Sequence, residues 1–202
     1  MYSCVGNLAG SIKMDCAHPL EGGYTGRAII LPESAVLAGL ILTRDASNPR
    51  IVKGISFADQ GDNMGTYGYV VDNVTMTPFD GSSTTGNGDA GYPKFVKAMA
   101  IRIPERGAAV SKNVIEPLAF GRFVMIVEKE DKVGDGSIEI IGLQSAMRCT
   151  DPSTITRQET ANGGAWSATL QCSEQFAEVV YLNTDYATSH ADFEQWWHDC
   201  NL

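Results

Sequence analysis

Any chemistry in this chain would have to come from its histidines, cysteines and clustered carboxylates. Cys16-x-His18 and His198-x-Cys200 each offer two ligands. Zinc takes four at recognisable spacing, and no CxxC or HxxxH accompanies these pairs, so no metal is expected. Gly86-Asn-Gly-Asp-Ala-Gly91 has the letters of a dinucleotide-binding loop. No apolar strand leads into it, however, and Tyr92-Pro93 stands where the pyrophosphate-binding helix should begin. There is no GxSxG, and no local Cys-His signature of a nucleophile. Glu128, Glu130, Asp131 and Glu139 gather around one hairpin turn. Paired carboxylates can hydrolyse glycosides, but acids around a turn are ordinarily solvated charges. Asn73-Val-Thr75 is a glycosylation sequon, which matters only in a secreted protein. The expectation is a protein without catalytic residues, cofactor or metal, and not an enzyme.

The charge is lopsided. Residues 149–202 carry eight carboxylates and a single base, Arg157, and so account for seven of the chain's nine net negative charges. Residues 1–148 are nearly balanced, with 16 acids and 14 bases. Such a surface repels phosphates and attracts no anionic lipid, and the basic stripe of a nucleic-acid binder is missing. It suits a solubilising face, or the wall of a passage to which a polyanion must not stick. The longest apolar run, Ala35 to Leu42, is interrupted by Gly39 and is far short of the roughly 20 residues that span a bilayer. The start, Met-Tyr-Ser-Cys-Val-Gly, reads as no signal peptide. Five cysteines at 4, 16, 149, 172 and 200 are odd in number and widely spaced, which favours reduced thiols inside a cell and leaves a Cys4–Cys16 pair open.

The elements read mostly as strands. They are Arg27–Leu31, Arg50–Phe57, Thr66–Met76, Lys94–Ile103 and Ala165–Cys172. Val36–Thr43 reads as a buried strand or a short helix after Pro32. The clearest unit is Gly121–Arg148: strand Arg122–Glu128, a charged turn ending in Asp135-Gly136, and strand Ser137–Leu143, where Gly142 marks a bulge or bend. Two helices are expected. One spans Ser111–Phe120, capped by Ser111, closed by Gly121 and troubled by Pro117. The other starts at Ser189-x-x-Asp192, with Phe193, Trp196 and Trp197 as its packing face. Residues 59–93 hold the odd region. Seven glycines between Gly61 and Gly91, with Ser82-Ser-Thr-Thr85, predict an extended Gly-rich hairpin or long loop. No repeat or linker divides the chain, so residues 1–202 are expected to form a single mainly β domain: a β-sandwich or small barrel with one or two flanking short helices.

Four segments carry a resemblance. They are Met14–Leu31, with a Cys-containing lead into a Gly-bounded strand; Ala119–Glu128, a helix end running into a central strand; Ile138–Arg148; and Thr160–Leu170, closing with Leu182–Thr188. In this order they resemble the tail tube (major tail) proteins of phages and prophages of Bacteroidetes-type hosts. The resemblance implies a virion protein, made in the host cytoplasm, whose copies form hexameric rings stacked into a tail tube. It implies homo-oligomerisation and contact with other virion tail proteins. DNA passes through the lumen during ejection without sequence-specific binding, and no membrane is involved. A wall that does not hold phosphate wants carboxylates facing inward, and Glu128 and Glu139 are the lumen-facing candidates. Gly61, Tyr67, Tyr69, Gly86, Gly88 and Tyr92, in or beside the Gly-rich segment, are the candidates for contact between rings.

Three other readings compete. A head-to-tail connector, tail terminator or capsid decoration protein keeps the virion but changes the position. A glycan-binding β-sandwich would need Trp166, Trp196 or Trp197 exposed. A hydrolase would need Glu128 and Glu139 to act as a pair.

Overall fold

The computed structural model describes residues 23–59, 61, 63–72, 79, 82–87, 94–130, 136–150, 155–157 and 164–201. These are mainly β, in two sheets. The larger is built from β1 (Tyr24–Pro32), β2 (Leu40–Arg44), β3 (Ile51–Phe57), β4 (Tyr69–Asp72), β7 (Phe123–Lys129), β8 (Ile138–Ile141) and β11 (Val180–Tyr181), in the order β2-β3-β11-β8-β7-β1-β4. Its pairings are antiparallel except β11 on β3. The smaller is antiparallel, in the order β5-β6-β10-β9, from β5 (Ser83–Asn87), β6 (Lys94–Ile103), β9 (Ile155–Arg157) and β10 (Trp166–Glu174).

The larger sheet is covered on both faces, and this explains its sequence. Side chains alternate along a strand, so one set of β1 and β7 residues (Ala28, Ile30, Met125, Val127) meets the smaller sheet through Met99, Ile101, Ala168 and Leu170. The other set (Ile29, Leu31, Val124, Ile126) meets Phe193 and Trp196 of the C-terminal helix. A sheet buried on both sides needs unbroken apolar runs rather than alternation. Ala28-Ile-Ile-Leu31 and Phe123-Val-Met-Ile-Val127 are such runs, buried throughout.

Short helices complete the fold, and several differ from expectation. Val36–Thr43 resolves into both alternatives, a short helix α1 (Glu33–Gly39) followed at once by β2. The expected Ser111–Phe120 helix starts earlier, after Gly107 at φ 119°. It runs as α2 (Ala108–Val110), a π-helical turn (Ser111–Ile115) and α3 (Glu116–Phe120). Ser111 therefore lies within it and does not cap it. Pro117 explains the π turn: it has no N–H to donate, and its ring would strike the carbonyl a turn earlier, so the wider turn just before it accommodates both. Gly121 ends the helix in extended backbone, not the left-handed cap. It is glycine for space, because a Cβ would collide with the Phe123 ring and the Pro117 carbonyl.

The C-terminal helix α4 (Tyr186–Cys200) begins ahead of the expected Ser189. Asp185 is its N-cap, accepting from the Thr188 N–H at 2.8 Å. Ser189 lies inside the first turns, buried, its hydroxyl donating to the Asp185 carbonyl at 2.7 Å and accepting from the Asn183 N–H at 2.9 Å. Asp192 accepts instead from Tyr181 (2.6 Å) and Asn183 (3.0 Å). The Gly-rich segment is also not one hairpin. Its described parts supply β4 at the edge of the larger sheet and β5 at the edge of the smaller one, so the chain crosses between sheets there.

Gly142 is the bend its position after β8 predicted. Its φ is +95°, and a Cβ would stand 2.7 Å from the Phe123 carbonyl oxygen. Gly142→Val is expected to lower unfolding free energy by about 1–3 kcal/mol, the range for a side chain held in such a region. Urea denaturation checks it, and an unchanged midpoint would contradict the strain.

Candidate functional site

The polar groups inside the protein form two clusters, one on each face of the larger sheet. Register puts them there. Glu128 pairs with Ile138 and shares the helix-facing side, whereas Glu139 pairs with Val127 and shares the side facing the smaller sheet.

On the helix side, Glu128 is fully buried. Its Oε1 accepts from Tyr186 (3.3 Å) and lies 2.6 Å from His190 Nδ1, and its Oε2 accepts from Arg27 at 3.4 Å. Arg27 also forks onto both oxygens of Glu194, at 2.9 Å for Nη1. The guanidinium lies over the rings of Phe193 (5.8 Å) and Trp197 (5.6 Å). The hydrogen bonds to Glu194 outweigh burial and hold the Arg27 pKa above its ordinary value. Burial, then the Glu128 charge, pushes the Tyr186 phenol up to about 12. Both oxygens of Glu128 are occupied, so the cluster offers no open base. Its effect is mechanical: it fastens α4 to β1 and β7.

Between the sheets lie Lys97 on β6, Glu139 on β8, Lys129 at the end of β7, and Cys172 and Glu174 on β10. Lys97 is 1% exposed and Glu139 3%. The Lys97 ammonium bonds Oε1 of Glu139, and Lys129 reaches Oε2 at 3.1 Å and Glu178 at 2.8 Å. Buried Glu174 accepts from the Gly142 N–H at 2.9 Å through Oε1, while its Oε2 has no partner. Burial raises its pKa against those backbone donors. The Cys172 thiol, 3.9 Å from Glu174 Oε1, is pushed up to about 12 by burial and then by the Glu174 charge.

A third feature is a groove of about 960 Å³ beside β4, lined by Ile30, Tyr69, Val71, Ile103, Val114 and Phe120 among others. It borders the inter-sheet core at Ile30, Ile101, Leu118 and Phe123.

The site residues expected from sequence fall out as follows. Glu128 and Glu139 are not surface carboxylates. Each is buried and matched to cations, on opposite faces of the sheet, so neither presents free charge to a lumen and the two cannot flank one substrate. Glu130 is exposed, and Asp131 lies outside the described residues. Of the ring-contact candidates, Gly61 closes a tight turn with Phe57 at φ +64°. Tyr67 packs on Phe57 at 4.6 Å and donates to Asp59 at 2.6 Å. Tyr69 and Gly86 are exposed, on edge strands β4 and β5. Gly88 and Tyr92 lie outside the described residues, as do His18, Cys4, Cys16, the sequon and most of the GxGxxG letters. Among the described residues no group of three or more His, Cys, Asp or Glu is arranged to hold a metal, and no helix is long and apolar enough to cross a membrane. Trp196 is buried, and Trp166 and Trp197 are half-buried, which leaves no open aromatic platform for a sugar among them. Sequence reasoning missed Arg27, His190, Lys97 and Glu174. The one signal available was a charged residue inside an apolar period, as with Lys97 between Val96 and Ala98.

Comparison with protein-family models, with curated proteins and with solved structures finds no match.

Two outcomes test the clusters. Glu128→Ala leaves Arg27 held by Glu194 but removes the buried acceptor that Tyr186 and His190 share, and unfolding free energy in urea should fall by about 1–3 kcal/mol, the cost of leaving buried polar groups without their partner. A fall within the error of the midpoint would refute the fastening role. Cys172, buried and with its thiolate suppressed, should stay unmodified by iodoacetamide at mildly alkaline pH in the folded protein and react once unfolded. Peptide mapping reads this, and rapid native labelling would contradict the burial.

Proposed function

We propose that this chain is a self-assembling structural protein of the phage tail tube type, its copies joined into rings that stack around a passage for DNA. The carrying observation is the pair of open edges on the larger sheet. Among the described residues β2 and β4 each have a paired strand on one side only. Each edge also carries large exposed apolar side chains: Leu37 (79%) and Ile41 (51%) at the β2 edge, Tyr69 (65%) and Phe120 (87%) at the β4 edge. Monomeric proteins blunt such edges with charge or cover. Two different apolar edges on opposite sides of one sheet suit head-to-tail contact, which closes into a ring when the rotation allows. The segment resemblance supports the same reading, and so does a net charge of −9 with no basic patch evident in the sequence. The lumen-lining acids in this reading are surface residues other than Glu128 and Glu139.

Negative-stain electron microscopy and sedimentation across a concentration series test the proposal. Stacked rings or tubes are expected. Ile41→Lys and Tyr69→Lys should each shift the protein to folded monomer, because a charge at either edge blocks a heterologous contact. Closed rings that never stack would move the reading to a connector or terminator. A strict monomer at high concentration would overturn it.

A further inference from the structure

The space between the sheets holds a reactive arrangement that packing does not require. Along the β6–β10 ladder Lys97 pairs with Cys172 and Phe95 with Glu174, so Lys97, Cys172 and Glu174 share the inner face of the smaller sheet. Glu139 approaches from the opposite sheet and accepts from the Lys97 ammonium. Lys129 lies 3.1 Å from the second oxygen of that carboxylate and is held from outside by Glu178 at 2.8 Å. Glu174 adds a buried carboxyl with an unpartnered oxygen, close enough to feel the Lys97 charge.

An ammonium and a carboxylate removed from water are both penalised by desolvation, and moving one proton between them relieves both penalties. That transfer would set an amine against a carboxylic acid, at contact, in the buried space between the sheets. We propose that Lys97 and Glu139 condense into an intramolecular isopeptide bond between Nζ and Cδ, assisted by Lys129 and Glu174.

The step balances within these groups. Lys97 Nζ passes a proton to Oε1 of Glu139, and its lone pair attacks Cδ. The carbonyl electrons move onto Oε2, where the Lys129 ammonium is already placed to hold an oxyanion. Glu174, entering the step as the carboxylic acid that its burial favours, turns its unpartnered Oε2 toward Lys97, gives a proton to Oε1 of Glu139 and takes one from Nζ, ending as it began. The Cδ–Oε1 bond breaks, water leaves, and the amide carbonyl re-forms. Ammonium plus carboxylate becomes amide plus water, with no oxidant or activating group. Lys129 is the wrong nucleophile for this bond: burial lowers its pKa, but the Glu139 and Glu178 carboxylates outweigh that and hold it charged. The product ties β6 to β8 across the core and removes two buried charges. It does not depend on the assembly reading.

Intact mass under denaturing conditions tests the bond directly. The purified protein, incubated at neutral pH, should weigh one water less than its sequence. Trypsin should then yield a branched peptide joining residues 95–102 to 133–148. Lys97→Met and Glu174→Gln should both return the full sequence mass, with circular dichroism confirming that they fold. A wild-type protein at full mass would overturn the proposal. So would a water loss confined to a linear peptide, as from a succinimide at Asp135-Gly136, or a branch at Lys129. Persistence of the link in folded Glu174→Gln would overturn the relay assigned to that residue.

Discussion

Covering both faces of the seven-stranded sheet is the constraint from which most of this structure follows. With α4 on one side and the smaller sheet on the other, strands β1, β7 and β8 have no solvent face, and each side chain on them must be apolar or paired. Glu128 and Glu139 are the buried carboxylates among them, and alternation along the hairpin sends them to opposite sides. Each is met by polar partners from its own sheet and from the layer it faces: Arg27 on β1 with His190 on α4 on the helix side, Lys129 on β7 with Lys97 on β6 between the sheets. A buried carboxylate stripped of these partners would cost several kcal/mol. The charges therefore fix how the layers dock, while the apolar contacts supply the driving force.

The same constraint changes what the acidic C-terminal segment means. Read along the chain, it is a block of negative charge. In three dimensions its six described acids are all engaged. Glu174 accepts from Gly142, Glu178 from Lys129, Asp185 from Thr188, Asp192 from Tyr181 and Asn183, Glu194 from Arg27, and Asp199 from Gln195. Two of the partners are cations in the charge-balanced part of the chain. The sequence asymmetry is in part the two halves of ion pairs, Lys129–Glu178 and Arg27–Glu194, written far apart. Of the six, folding buries only Glu174, so the rest still carry negative charge at the surface, part of it matched by a neighbouring cation.

What was legible follows from which signals are local. β1, β6, β7, β8 and β10 were readable because runs such as Phe123–Val127 and the period-two Lys94–Ile103 encode burial directly, and the Gly142 bend was readable because glycine in a strand has few other reasons to be there. Helix α4 was readable from Phe193, Trp196 and Trp197, but its start was not: Asp185 and Ser189 are both good caps, and the choice rests on Ser189 being drawn under the Asn183 backbone. The π turn before Pro117 was half legible, since the proline announced a fault without its remedy. The polar clusters were not legible. Arg27 and Glu194 are far apart in sequence, and so are Lys97 and Glu139, and no local period links them. The sheet order that joins them is a long-range property.

Edge geometry connects this interior to the proposed assembly. A sheet whose centre is buried on both faces can grow only at its ends, and among the described residues those ends are β2 and β4. Helix α1 turns the chain into β2 and leaves Leu37 outside, while the end of α3 leaves Phe120 beside Tyr69 and the groove. Neither edge strand brings many charges of its own: Arg44 on β2 and Asp72 on β4 are the only charged residues in the two. They have opposite sign and stand at the C-terminal end of each strand. In an antiparallel junction they would lie at opposite ends of the ladder, and in a parallel one side by side. Within one copy β2 and β4 run in opposite directions, so copies that pointed the same way round a ring would meet antiparallel, with Arg44 and Asp72 at opposite ends of the junction and the apolar side chains between them.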